Sequence, residues 1–135
     1  MIIEIKKNNI NIVEDNDLIP IKLITEELTN NPFGKYLILK EDNEIIGYIY
    51  YSDIYERAEI NQIEVKENKR NCGNGDKLLK KMIDIVEKDI TLEVKENNVS
   101  AIKLYKNNGF ISKAIRKGYY QGIDGILMER KKDSN

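Results

Sequence analysis

A six-residue turn, Arg70-Asn71-Cys72-Gly73-Asn74-Gly75, sits between an apolar strand pattern at Ile60–Val65 and an apolar helix pattern from about Asp76 to Lys88. It constrains the chain more than any other feature. Glycine lets the backbone curl and approach a ligand closely, because no Cβ intervenes. A turn that feeds a helix N-terminus also presents backbone N–H groups to an anion. Arg70 adds a cation at the mouth. A pyrophosphate-bearing guest suits such a turn. The helix behind it places Leu78, Leu79, Met82, Ile83 and Val86 in one stripe at helical spacing, which reads as packing on a sheet. The strand Ile90-Thr91-Leu92-Glu93-Val94 follows. Strands joined by a helical crossover run parallel, so this half of the chain belongs to a mixed α/β sheet.

The flanking segments fit that plan. Residues 1–6 alternate like a first strand. Residues 12–30 read as helical with a break at Pro20, since proline suits a first helical turn and breaks an interior. One short helix is expected before Pro20 and a second from Pro20 to Leu28. Tyr36–Leu39 and Ile45–Tyr50 form a hairpin about the turn Glu41–Glu44, and residues 52–57 connect it to a strand at Ala58–Val65. After the strand at 90–95, residues 98–107 read as a helix stopped by Gly109. Two strands close the chain, Phe110–Arg116 and Ile126–Arg130, with a turn at Gln121–Gly125. Lys131–Asn135 reads as a frayed tail. The 135 residues are expected to form a single domain.

Composition excludes several functions. The 22 basic and 23 acidic residues leave a net charge of −1, so there is no global pull toward nucleic acid or anionic lipid. No apolar run reaches the roughly 20 residues that span a bilayer, and the N-terminus lacks a signal-peptide pattern. With no histidine, imidazole catalysis is absent and a zinc site is not expected. The one cysteine, Cys72, forms no internal disulfide, which suits a reducing cytoplasm. A monomer or weak dimer is expected.

The ordered set of turn, Leu92-Glu93-Val94, Asn98, Ala101-Ile102, Leu104-Tyr105, Gly109-Phe110 and Ile115-Arg116-Lys117-Gly118-Tyr119-Tyr120 resembles the GNAT superfamily of acetyl-CoA-dependent N-acetyltransferases. Within it, the chain looks most like the RimI-type enzymes that acetylate the N-terminal alanine of a ribosomal protein. Arg70, Gly73 and Gly75 match the family's Gln/Arg-x-x-Gly-x-Gly/Ala signature position by position. The resemblance implies about seven strands and four helices, with a central parallel pair splayed apart. It implies main-chain contacts from Ile63, Glu64 and Val65 to the acetyl-pantetheine arm, and a pyrophosphate held by Asn71, Cys72, Gly73, Asn74, Gly75 and Asp76. Asn98 would touch the cofactor. Glu93 would be the general base and Tyr105 the acid that protonates the departing thiolate. Tyr119 and Tyr120 would line the acceptor groove, and no metal takes part. Three departures stand out. The loop between the first two helices is shortened to Asp17-Leu18-Ile19-Pro20 and holds no Trp, Asn74 replaces an aliphatic residue, and Gly118 replaces an Asn. The shortened loop bears on the acceptor.

The residues themselves leave alternatives open. Glu93 reads either as an ordinary solvent-facing strand carboxylate or as a base whose pKa burial would raise. Glu59 and Glu64 are further candidate bases on the neighbouring strand. Tyr105 can be a core ring, a proton donor, or both. Arg70 reads as a surface cation or a phosphate contact, and Cys72 as a passive loop residue. An α-amine, with pKa roughly 7.7–8.0, is neutral far more often at pH 7 than a lysine near 10.4. A protein N-terminus is therefore the acceptor expected first. A small-molecule amine, a lysine, and a CoA-binding module without turnover are the competing readings. Nucleic-acid binding through Lys113, Arg116 and Lys117 is weaker, given the net charge.

Overall fold

The computed structural model describes residues 1–133. Seven strands form one sheet in the order β1-β2-β3-β4-β5-β7-β6. They are β1 (Ile2–Ile5), β2 (Gly34–Glu41), β3 (Glu44–Ile54), β4 (Arg57–Val65), β5 (Asp89–Lys95), β6 (Ile111–Tyr120) and β7 (Ile123–Arg130). Three α-helices, α1 (Ile21–Asn30), α2 (Asn74–Val86) and α3 (Val99–Asn107), accompany a 3₁₀ segment at Lys7–Val13 and a 3₁₀ turn at Glu67–Lys69. The pair β4–β5 is parallel, and the other neighbouring pairs are antiparallel. No helix among the described residues is long and apolar enough to cross a membrane.

Each face of the sheet carries a core. The stripe Leu78, Leu79, Met82 and Val86 of α2 packs with Leu37, Ile49, Ile90, Leu92, Tyr105 and Met128. On the opposite face Val13, Ile19 and Ile24 pack with Ile5, Tyr36, Ile38, Ile45 and Tyr48. Strand alternation sorts these two sets, because successive side chains point to opposite faces.

Several boundaries differ from those expected. The helix before Pro20 is replaced by the 3₁₀ segment, which ends at Val13, and by a bend from 14 to 20. Asn16 organises that bend. Its Oδ1 accepts from the amides of Leu18 (2.9 Å) and Ile19 (2.6 Å), and its Nδ2 donates to the carbonyls of Val13 and Ile19. Asparagine side chains compete in this way with helical backbone pairing. The expected connector 52–57 shrinks to Tyr55-Glu56, because Asp53 and Ile54 pair with Ala58 and Arg57. Strand β6 runs on to Tyr120 and β7 starts at Ile123, leaving a two-residue turn instead of one spanning 121–125. The hairpin turn Asp42-Asn43 has φ of 53° and 65°, as a two-residue turn requires. The expected frayed tail is anchored at its start. Asp89 accepts from the Lys132 amide (2.8 Å) and pairs with Lys131 (3.3 Å), while residues 134 and 135 lie outside the described residues.

One irregularity positions the site. The β3–β4 register shifts at Tyr50/Tyr51, so that Tyr51 faces Ile60, Tyr50 faces Gln62, and Asn61 is left over. The side chain of Asn61 donates to Ser52 Oγ at 2.8 Å and pins the bulge. A bulge bends its strand and adds local twist. Strands β4 and β5 pair only over Arg57–Glu59 and Asp89–Thr91, before this point. Beyond it, β4 stays with β3 as far as Val65, β5 stays with β7 as far as Lys95, and the two part.

Candidate active site

The parting opens a cleft of about 560 Å³ between β4, the turn into α2, and the start of α3. Its walls include ten of the residues expected to touch a cofactor: Ile63, Glu64, Val65, Arg70, Asn71, Gly73, Asn74, Gly75, Asp76 and Asn98. Ser100, Ala101 and Leu104 complete it, and these three were not read from the sequence as site residues. Their signal was available in outline, since residues one turn apart on a helix share a face. Cys72 is not a wall residue. Its exposed Sγ lies 3.3 Å from the Arg70 carbonyl.

The main chain of β4 meets the cleft in alternation. The Lys66 amide bonds the Ile46 carbonyl at 2.8 Å, which makes Val65↔Gly47 a non-hydrogen-bonded pair. Val65 therefore turns its own N–H and C=O away from β3, toward the gap, and Ile63 does the same two residues earlier. Glu64 bonds β3 through its main chain, and its side chain stands on the same sheet face as Tyr48. This differs from the main-chain contact expected of Glu64.

At one end of the cleft stands the N-terminus of α2. Gly73 is its N-cap with φ 81°, a left-handed conformation in which a side chain would be strained. The amides of the first turn precede any intrahelical acceptor, and the helix dipole makes them attractive to an anion. Asn74, only 5% exposed, donates to the Lys69 carbonyl at 2.9 Å and closes the turn on itself. That bond explains a polar residue where an aliphatic one is usual. Arg70 Nε donates to the Val65 carbonyl at 2.9 Å, which ties the turn to the end of β4. Asp76 accepts from Lys80 (2.6 Å) and Asn108 (2.9 Å), and these two bonds hold its carboxyl below the usual range. Asn98 caps α3, its Oδ1 accepting from the Ala101 amide at 3.2 Å.

Glu93 lies on the sheet face away from α2 and α3, since its neighbours Leu92 and Val94 point into the core on their side. Its Oε1 accepts from Tyr120 Oη at 2.8 Å. Its Oε2 is buried and 2.9 Å from Arg116 Nε, an ion pair made without an aligned N–H···O bond. Arg116 lies 3.4 Å over the ring of Tyr119, which meets Tyr120 edge-on at 5.0 Å. The bond to Glu93 pushes the Tyr120 phenol up. Gly125 makes room for the group. A Cβ there would stand 2.7 Å from Glu93 Oε2 and 2.9 Å from Tyr120 Cε2. Neither Arg116 nor Gly125 was singled out beside Glu93 from sequence, because their proximity depends on the β5–β7–β6 register.

Tyr105 is 6% exposed, packs on Phe110 at 5.5 Å, and is not a wall of the cleft. Ala101, one turn earlier on α3, is. Burial pushes the Tyr105 phenol up to about 12, which keeps it protonated at neutral pH. Tyr119 is largely exposed. Among the described residues no cluster of three or more His, Cys, Asp or Glu is arranged to hold a metal.

The comparisons with known proteins agree on this architecture. Residues 9–110 match the model of the acetyltransferase (GNAT) family. The chain is 39% identical over 104 residues to the ribosomal protein bS18-alanine N-acetyltransferase of Haemophilus influenzae, spanning 73% of this chain and 70% of that one. Among solved structures, the ribosomal-protein-S18-alanine N-acetyltransferase of Escherichia coli superposes with a TM-score of 0.81 at 22% identity, covering 100% of this chain and 95% of that one. A GNAT family acetyltransferase of Elizabethkingia anophelis, with acetyl-CoA bound, gives 0.74 at 24% identity over 97% of both chains. With its signature turn, its parted parallel strands and a family match over most of its length, the chain belongs to the GNAT acetyltransferase family.

Proposed function

We propose that the chain transfers an acetyl group from acetyl-CoA to the N-terminal α-amine of a protein, of the kind that begins with alanine. The observation that carries this is the cleft itself. The exposed main-chain edge of Ile63 and Val65 runs along it, the α2 N-terminus stands at its end, and carboxylates flank the opposite face. Two of the relatives named above are ribosomal-protein alanine N-acetyltransferases, and a modest carboxylate base suffices for an α-amine.

Asn71 and Gly73 to Asp76 would hold the diphosphate of coenzyme A, with Arg70 adding charge at the mouth. Asn98 and Ser100 would border it from α3. The inward N–H of Val65 is a preset donor for charge growing on a carbonyl oxygen. Glu93 takes the amine proton through a water, because Tyr120 and Arg116 already occupy its oxygens directly. Tyr105 supplies a proton to the leaving sulfur. Acetyl passes directly to the amine, since no side chain here is an activated nucleophile. The exposed thiol of Cys72 fits a reducing cytoplasm as the place of work.

The test is a thiol-release assay with acetyl-CoA and a panel of acceptors. An alanine-initiated peptide should turn over well above a lysine side chain or a small amine. Preference for a small amine would shift the assignment to the second reading, which the short Asn16-knotted bend favours. Binding of acetyl-CoA with no thiol release from any acceptor would leave a non-catalytic module.

A further inference from the structure

Of four carboxylates on β4, β5 and the turn into α2, three are neutralised by the chain's own cations. Glu59 pairs with Arg57 at 3.1 Å, Asp76 with Lys80 at 2.6 Å, and Glu93 with Arg116 at 2.9 Å. Glu64 differs. Among the described residues no lysine or arginine forms an ion pair with it, although it is half-buried in the cleft wall. Its one hydrogen-bond partner is Tyr48, whose Oη donates to Oε2 at 3.1 Å. Tyr48 is 4% exposed, wedged beside Tyr36 in the core, and faces Glu64 across the β3–β4 register. A buried ring of that kind has no freedom to follow a wandering side chain, so it fixes where the carboxylate stands. Register and alternation put Glu64 and Glu93 on the same face of the sheet, one on each of the two parted strands. A partly desolvated carboxylate without a cation is costly unless a partner arrives.

We infer that Glu64, held by Tyr48, is a specificity-determining residue that receives the positively charged amine of the acceptor. The inference rests on the acetyltransferase reading above and adds the form in which the acceptor is captured. At pH 7 most of an α-amine with pKa roughly 7.7–8.0 is protonated. A site that binds the ammonium draws on the abundant species, and one proton then leaves the nitrogen before it attacks the acetyl carbon. Tyr48 uses only Oε2, so Oε1 is left as the acceptor for an N⁺–H donor. The same pair selects against acceptors with no cation.

The probe is an alanine-initiated peptide carrying an N,N-dimethylated N-terminus. It is protonated at neutral pH, and as a tertiary amine it forms no amide. It should compete with the substrate peptide, whereas the same peptide lacking its α-nitrogen should not. Glu64→Gln keeps the shape of the side chain. It should weaken the dimethyl peptide on the order of 10-fold or more, since a hydrogen bond to a charged group contributes roughly 1.5–3 kcal/mol, equivalent to about 10- to 150-fold. The KM for the substrate peptide should rise in step, with kcat changed less than about threefold and acetyl-CoA affinity unchanged. Tyr48→Phe should weaken the probe by a smaller factor. Unchanged melting temperature and acetyl-CoA affinity establish that both variants are folded. An equal inhibition constant in wild type and Glu64→Gln overturns the inference, as does a fall in kcat alone, which would make Glu64 a base instead. Either result leaves the acetyltransferase reading standing so long as the wild type turns over. Absence of thiol release by the wild type would instead strike that reading.

Discussion

Glu93 shows how one side chain depends on residues far away in sequence. Its carboxylate stands where it does because position 125 has no side chain, and because Tyr120 and Arg116 meet it from the end of β6. Gly125→Ala would place a methyl group 2.7 Å from Oε2, the far end of a side chain that can move. The fold should therefore survive, while turnover falls on the order of 10- to 100-fold through misplacement of Glu93, the proposed base. Melting curves and acetyl-CoA affinity close to the wild type, with low kcat, would bear this out. An unchanged kcat would remove Glu93 from the mechanism. Tyr105 makes a second case. Its phenol, pushed up to about 12 by burial, is available as a donor throughout the neutral range. Tyr105→Phe keeps the ring contact with Phe110 and deletes only the hydroxyl, so it should lower kcat with little change in stability. A rate equal to the parent's would show that something else protonates the sulfur.

Among the elements, the turn into α2 and the contact between α2 and α3 carry the consequences. A Cβ at position 75 meets Leu104 Cδ2 at an ordinary 3.4 Å, so an alanine fits there. The branched side chain of Gly75→Val would stand in the cleft itself. It should abolish acetyl-CoA binding measured by calorimetry, while Gly75→Ala should retain much of it. Equal binding by both would place the diphosphate elsewhere. Asp76, Lys80 and Asn108 join the start of α2 to the end of α3. The bonds from Lys80 and Asn108 lower the folded Asp76 pKa below its unfolded value, so the stabilisation is fully present above about pH 4. It is lost as pH falls through the folded value. The stability difference between wild type and Asp76→Asn should thus shrink on acidification from pH 6 to pH 3, as chemical denaturation would measure. A difference that stays constant would deny the linkage. The side chain is over a third exposed, which keeps the effect small.

For the molecule as a whole, the sheet is stabilised from both faces, and α2 supplies much of one of them. Leu79 is 0% exposed at the middle of that stripe. Leu79→Ala should cost about 2–5 kcal/mol by the loss of buried surface and the cavity left behind. A urea titration that gives less than 1 kcal/mol would show that the core collapses around the gap. Much of this architecture was legible beforehand. The stripe of α2, the alternation of β5, the glycine turn and the helix stopped by Gly109 are local patterns, and each appeared where periodicity and spacing placed it. The segment before Pro20 was misread because Asn16 bonds its own neighbours in preference to a helical ladder. The ends of β6 and β7 were misread because pairing extends strands beyond what propensity alone supports.

Local chemistry in the chain therefore determined the glycine turn, the helix behind it, and the family likeness, because those signals lie within a few residues of one another. Tertiary structure alone decided how the gap opens and which of the four carboxylates pairs with no cation. The first rests on a bulge at Asn61, pinned across β3 by Ser52. The second rests on Arg116 reaching Glu93 from two strands away while no cation reaches Glu64 among the described residues. Register and long-range pairing set such distances, and no window of neighbouring residues contains them.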